Sequence, residues 1–373
     1  MSEPVRDVRP LLGTGAVLGE GPDATVPVHY GSPLREQRRL LERAAVVDLG
    51  QFEVLEVRGA DARSWMTTVT TQVLSGTTVG SSSSLAVLSP QGRVEHMASA
   101  VVIEDEALLL VLDAGARAGL RRYLEMMRFA ARVELIDRDD LRVLGALAPA
   151  TQVLPALGLP EPVAVWSEPW PQLAPGGVAY GPDPEDPEGA VLTVLEAAAL
   201  QQLDWRPEHL AGMSSWEAVR IADHRARHTR EVDERTIPHE LDLLRTTVHT
   251  TKGCYRGQET VAKVLNLGQP PRRLVMLHLD GSQDIPAAPG GEVRLGDSSG
   301  KVVGTVTSAA LHADLGPIAL AVVRRAVPLD AALVVQVPAG EVDGEPRWVW
   351  LDATQEPIVL PRDRGERPVT AKL

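Results

Sequence analysis

Lys252-Gly253-Cys254-Tyr255-Arg256-Gly257-Gln258-Glu259-Thr260 is the stretch on which the reading of this chain turns. It holds the only cysteine among 373 residues. Gly253 and Gly257 bracket that cysteine, and Lys252 and Arg256 stand two residues to either side. Glycine admits positive φ or close backbone approach, so the spacing predicts a shaped loop. A thiol near fixed positive charge loses its proton more easily, and the thiolate is the reactive form. A lone cysteine is often buried and inert. The polar, glycine-flanked setting argues instead for a functional thiol at Cys254.

The rest of the composition narrows the class. A chain of 373 residues implies two or three compact units. Hydrophobic residues make up 44% of it and aromatics only 3%, so its cores must rest on Val, Leu, Ala and Ile. A net charge of −13 argues against a general nucleic-acid binder. One cysteine excludes a disulfide framework and a self-contained iron–sulfur site, which takes about four cysteine ligands. No run reaches the ~18 apolar residues of a membrane span, and residues 1–10 lack the apolar core of a signal peptide. The expectation is a soluble, cytoplasmic protein with no membrane partner.

Along the chain, residues 1–30 read as a tail. Helices are expected over 33–45, 60–69 and 116–129, and strands over 46–57 (broken at Gly50), 84–88, 94–103, 108–112, 133–136 and 141–147. These make a first α+β half over 31–148. A second α+β half over 149–269 has helices at 195–203 and 215–222, the latter capped by Ser214 or Ser215, and ends in the signature loop. Pro270-Pro271 marks a boundary. Beyond it, strands over 274–279, 292–295, 302–307, 318–323 and 333–337 with turn punctuation predict a small β-barrel over 270–362, followed by a charged tail over 363–373.

The signature resembles the K-G-C-Y-x-G-Q-E motif of the YgfZ-type folate-binding proteins, relatives of the glycine-cleavage T-protein, an aminomethyltransferase. Three further segments resemble the same superfamily. They are Val47-Asp48-Leu49 with Phe52, Trp65 and Thr70-Thr71-Gln72; Arg220-Ile221 with Asp233, Pro238, Glu240 and Leu241; and Gly304-Thr305-Val306-Thr307-Ser308 with Ile318-Ala319-Leu320-Ala321. The resemblance covers roughly residues 40–340. It implies a folate-binding body of two α+β halves followed by a C-terminal barrel. It also implies tetrahydrofolate as cofactor, with folate contacts at Phe52, Arg220, Lys252, Gly253, Tyr255, Gly257, Gln258 and Glu259. The partners it implies are a reduced folate and iron–sulfur client or assembly proteins, and the role is support of iron–sulfur cluster assembly or repair. No catalysed reaction follows; the alternative is a folate-dependent aminomethyl- or methyltransferase.

Two departures count against aminomethyl transfer. The transferases carry an acidic pair where this chain reads Glu95-His96, and a pterin-gripping glutamate where it reads Ala222. A base at Glu95 or His96 facing a substrate-sized cavity would favour the transferase.

Between Arg206 and Arg273 stand twelve Lys/Arg against nine Asp/Glu, a basic region in an acidic chain. As a region it favours an anionic ligand such as folate with its glutamate tail. Taken singly, Arg225, Arg227 and Arg230 read as a solvated basic helix. His224 and His228, spaced i, i+4, would share a helix face as metal ligands do, but no third ligand accompanies them, and no metal is expected.

Overall fold

The computed structural model describes residues 15–148, 153–156, 158–169, 172–182, 189–200, 205–283, 285–342, 345–360 and 369–370. Two five-stranded sheets and a closed six-stranded barrel carry the fold. In the first sheet the spatial order is Ser82–Leu88, Val94–Glu104, Ala107–Leu112, Glu53–Arg58 and Glu134–Asp137, antiparallel throughout. In the second the order is Ala164–Ser167, Ala190–Glu196, Leu141–Leu147, Val46–Asp48 and Leu210–Ala211, with only the last pair parallel.

Ala107–Leu112 shows why the sheets stack. All six residues are buried, and side chains alternate between faces. Leu109 and Val111 join the core between the sheets, with Val143, Val194 and Trp216 opposite. Leu108, Leu110 and Leu112 pack outward against Met66 of the helix Ala62–Val69 and Leu120 and Leu124 of the helix Arg117–Met127.

The chain passes from one sheet to the other between Asp48 and Glu53. Asp48 accepts from the Gly50 amide at 3.0 Å and from Arg142 Nε at 2.9 Å. A Cβ on Gly50 would stand 2.7 Å from that guanidinium, so the break expected there has a steric cause. The boundary expected at residue 148 falls inside the second sheet, which takes strands from both halves.

The barrel runs Arg272–Leu279, Gly316–Arg324, Val302–His312, Glu292–Leu295, Leu333–Val342 and Glu345–Pro357, and the last strand returns to pair with the first. Five of these strands were expected; Glu345–Pro357 was not, although it is the one that closes the barrel. The helix expected over 195–203 is also corrected. Leu195 and Glu196 finish the strand Ala190–Glu196, helix occupies Ala197–Leu200, and 201–204 lie outside the described residues. The helix Met213–Ala222 starts at Gly212 with no side-chain cap, since Ser214 Oγ instead donates to the Val28 carbonyl at 2.7 Å. No described helix is long and apolar enough to cross a membrane.

Candidate functional site: a cavity between the sheets

The signature stretch is a loop that passes into the helix Gln258–Leu267 at Gly257. Gly257 has φ +82°, and a Cβ there would lie 2.6 Å from the Ser89 carbonyl oxygen and 2.9 Å from Gly92 Cα. The loop is therefore pressed backbone to backbone on the turn after Ser82–Leu88. Gly253 has open space around it and no positive φ, so only one of the two glycines is required.

The flanking cations are committed to other partners. Lys252 Nζ donates to the carbonyls of Thr67, Thr70 and Gln72, closing the C-terminal end of the helix Ala62–Val69. Burial pulls its ammonium down to about 8. Arg256 pairs with Glu95 at 2.9 Å and lies 5.7 Å over the Tyr123 ring. Tyr255 is buried, Gln258 Nε2 donates to the Lys252 carbonyl at 3.3 Å, and Glu259 and Cys254 are exposed.

The other motif residues meet as structural pairs. Thr71 Oγ1 donates to the Thr247 carbonyl and Gln72 Nε2 to the Thr246 carbonyl, each at 2.8 Å. Arg220 reaches Ser308 of the barrel at 2.6 Å and Glu231 at 3.0 Å. Arg272 binds both Asp233 and Glu240.

Between the sheets lies a cavity of about 160 Å³. Phe52, Trp166 and Trp216 supply aromatic walls, and Thr246 and Thr247, held by the turn above, close one side. Of the expected folate contacts, Phe52 and Arg220 line it. Lys252, Gly253, Tyr255, Gly257, Gln258 and Glu259 are not among its described lining residues.

The polar wall comes largely from the basic region, with Asp113, which local pattern did not single out. Arg227 is the hub. Its guanidinium grips Asp113 at 2.7 Å and Asp23 at 2.7 Å and reaches Glu217 at 3.4 Å, with its face 5.6 Å from the Phe52 ring. Burial would raise the Asp113 carboxyl, but Arg227 and Thr229 hold it below the usual range. Burial acts the same way on Glu217, and Arg220 and Arg227 outweigh it, pulling the carboxyl down to about 2. Arg225 pairs with Asp223 at 2.9 Å and lies 5.8 Å from Trp216. Arg225 and Arg227 are buried, which corrects the reading of a solvated basic helix. The helix stops at Ala222, and His224 takes φ +61°. His224 and His228 therefore stand on different elements and share no helix face, and among the described residues no three His, Cys, Asp or Glu gather as a metal site.

Glu95 is spent on Arg256, and His96 stacks on His228 with ring centroids 6.4 Å apart. Burial first, then His228 and Arg256, push the His96 imidazole down to about 4, so it stays neutral. The lining residues on that strand are Met97, Ala98 and Ser99.

Among the described residues that line the cavity, two buried polar atoms have no hydrogen-bond partner: Arg225 Nε and His228 Nδ1. Buried polar atoms are rarely left unsatisfied, so this wall is suited to a ligand with donors and acceptors of its own. A larger cavity of about 370 Å³ abuts the Asp23–Arg230 wall, but its described lining holds no Phe, Tyr or Trp to face a flat ring.

No family model matches the chain. It is 26% identical over 284 residues to a chloroplastic protein of Arabidopsis thaliana named as a transferase, covering 70% of this chain and 61% of that protein. It is 25% identical to an aminomethyltransferase of Chromobacterium violaceum over 37% of this chain and 38% of that enzyme, and 26% identical to one of Xanthomonas oryzae over 39% of each. The chain thus spans less than two thirds of the length of these relatives. The crystal structure of the glycine cleavage system aminomethyltransferase T from Bartonella henselae superposes with a TM-score of 0.69 at 18% identity, covering 94% of this chain and 96% of that one. The fold of this chain is therefore that of the glycine-cleavage aminomethyltransferase, an α+β body closed by a C-terminal barrel.

Proposed function

We propose that the cavity between the sheets binds the pterin head of a reduced folate, tetrahydrofolate above all, in a protein of the YgfZ type. One observation carries this reading: an aromatic-walled cavity, in an aminomethyltransferase fold, with buried polar atoms left open at Arg225 and His228. Its volume is near half the ~300 Å³ lower end of whole-ligand sites, which favours a bicyclic head inside and a glutamate tail outside. Phe52, Trp166 and Trp216 would flank the ring, and the ion-paired Arg220, Arg225 and Arg227 would stand around it.

The role that goes with this reading is support of iron–sulfur cluster assembly or repair in other enzymes, with exposed Cys254 as the thiol offered to those partners. A neutral His96 at the place of a transferase acid, and Ala222 at the place of its pterin-gripping glutamate, count against aminomethyl transfer. One feature favours a one-carbon transferase as second reading: Asp113 puts an ionised carboxylate on the cavity wall.

Because two tryptophans line the cavity, titration with tetrahydrofolate should quench intrinsic fluorescence, and Phe52→Ala should weaken the response. Absence of quenching at saturating ligand would remove the folate reading. Formation of methylene-tetrahydrofolate from an aminomethylated carrier protein would decide for the transferase.

A further inference from the structure

His228 opens the four-residue helix His228–Glu231, directly after Arg227 in sequence. Its place is fixed from three sides. The next residue, Thr229, donates its amide to Asp113 at 3.1 Å, and its hydroxyl donates to the same carboxylate oxygen. The Arg227 amide donates to Glu231 at 2.7 Å. His228 Nε2 meets the Glu95 backbone carbonyl at 3.1 Å.

That carbonyl is available for a local reason. The ladder between Ser82–Leu88 and Val94–Glu104 shifts register where Val87 faces His96 and Leu88 faces Val94. Glu95 is the extra residue of this bulge, and a bulged residue is left out of the ladder. A carbonyl oxygen can only accept, so the proton of a neutral His228 sits on Nε2. Its Nδ1 is then a lone pair, buried and without a hydrogen-bond partner among the described residues, on a side chain that lines the cavity. His96 on the strand behind it stacks on the His228 ring, and Asp113, Arg225 and Arg227 line the same cavity. None of them is paired with Nδ1.

We propose that His228 is a specificity-determining residue of the cavity, accepting through Nδ1 a hydrogen bond from a ring N–H of the bound heterocycle. Arg225 Nε, the other open atom of the wall, is a donor and takes a ring carbonyl oxygen. Together they select a flat heterocycle carrying both an N–H and a C=O, the combination a pterin presents. This inference deepens the folate reading and rests on it.

Tetrahydrofolate is titrated into the full chain by tryptophan fluorescence, comparing wild type, His228→Phe and His228→Asn. The phenylalanine keeps a ring and removes the acceptor. The asparagine returns an acceptor oxygen close to the Nδ1 position. We expect His228→Phe to bind about 5- to 10-fold more weakly and His228→Asn to stay within about twofold of wild type. Equal affinity in all three overturns the inference, as does a loss that His228→Asn does not repair. Should His228→Phe fold poorly, nitrogen NMR of wild-type histidines decides. The His228 Nδ1 resonance must shift at saturation, and an unmoved resonance overturns the proposal. A wild type that binds no tetrahydrofolate refutes the folate reading itself, a different result from wild-type binding with indifferent variants.

Discussion

Arg227 joins residues that the chain keeps far apart. Asp23 comes from the N-terminal segment, Asp113 from the end of a strand of the first sheet and Glu217 from a helix, and one buried guanidinium serves all three. Breaking such a cluster from one side leaves carboxylates buried without a counter-charge. Arg227→Ala should therefore cost about 3–5 kcal/mol in urea denaturation, and a cost below ~1 kcal/mol would mean the carboxylates find water or new partners. Cys254 is the opposite case. It is exposed, so Cys254→Ser should change stability by less than ~0.5 kcal/mol, whatever it does to partner contacts. The two outcomes invert what the sequence makes prominent. The lone cysteine stands out in print, whereas Arg227 looks like one more cation in a basic run, because nothing local announces that its partners come from residues 23 and 113.

His239 supplies a pH test at the same scale. It is fully buried, its Nε2 meets the Val261 carbonyl at 3.1 Å, and burial pushes its imidazole down to about 4. The unfolded chain takes up a proton near pH ~6.5, while the folded chain resists until about 4. Stability is therefore unaffected by His239 above ~6.5 and falls as pH drops through that window, by about 1.4 kcal/mol per pH unit for this one group. His239→Phe should flatten that part of the acid limb; an unchanged slope would show that the buried imidazole is already protonated. His96 acts in the same direction, so only part of the slope should disappear.

Among the elements, the contrast between two glycines is the sharpest test of the signature loop. Gly257→Ala must put a Cβ against the Ser89 carbonyl and Gly92 at a positive φ, whereas Gly253→Ala meets nothing within 4 Å. The first should cost roughly 2 kcal/mol or more, the second within ~0.5 kcal/mol, read from denaturation midpoints at equal slope. Equal costs would mean that the loop does not sit on the turn as described. Much at this scale was legible. Alternating or continuous apolar runs marked most strands of the first sheet and five of the barrel, because a core on one face leaves a pattern of period two and a core on both faces leaves an unbroken apolar run. Glu345–Pro357 escaped because exposed Asp352 and Glu356 interrupt its apolar positions. The helix expected over 195–203 failed for a different reason. Its apolar start is the last part of a strand whose partner, Leu141–Leu147, lies fifty residues upstream.

At the scale of the molecule, the resemblance foresaw an α+β body and a barrel, and it named two residues that do line the cavity, Phe52 and Arg220. It did not foresee how the parts are tied. The signature lysine clamps a helix end, the Thr-Thr-Gln turn holds one cavity wall, and Arg220 links the body to barrel Ser308. These are contacts between segments that only the closed fold brings together. Asp113 and His228 likewise acquire their roles from the fold, one at the end of an apolar strand and the other beside a bulge.

The central claim is that the space between the two sheets is a folate site. Calorimetric titration of tetrahydrofolate into wild type and into Ser99→Trp tests it most directly, since Ser99 lines the cavity and an indole there would fill it. Single-site binding by wild type is expected, with about 2.7 kcal/mol of added stability at ligand a hundredfold above its dissociation constant. The folded Ser99→Trp variant should show neither the heat nor the stabilisation. No heat with wild type, or undiminished binding by Ser99→Trp, would contradict the account.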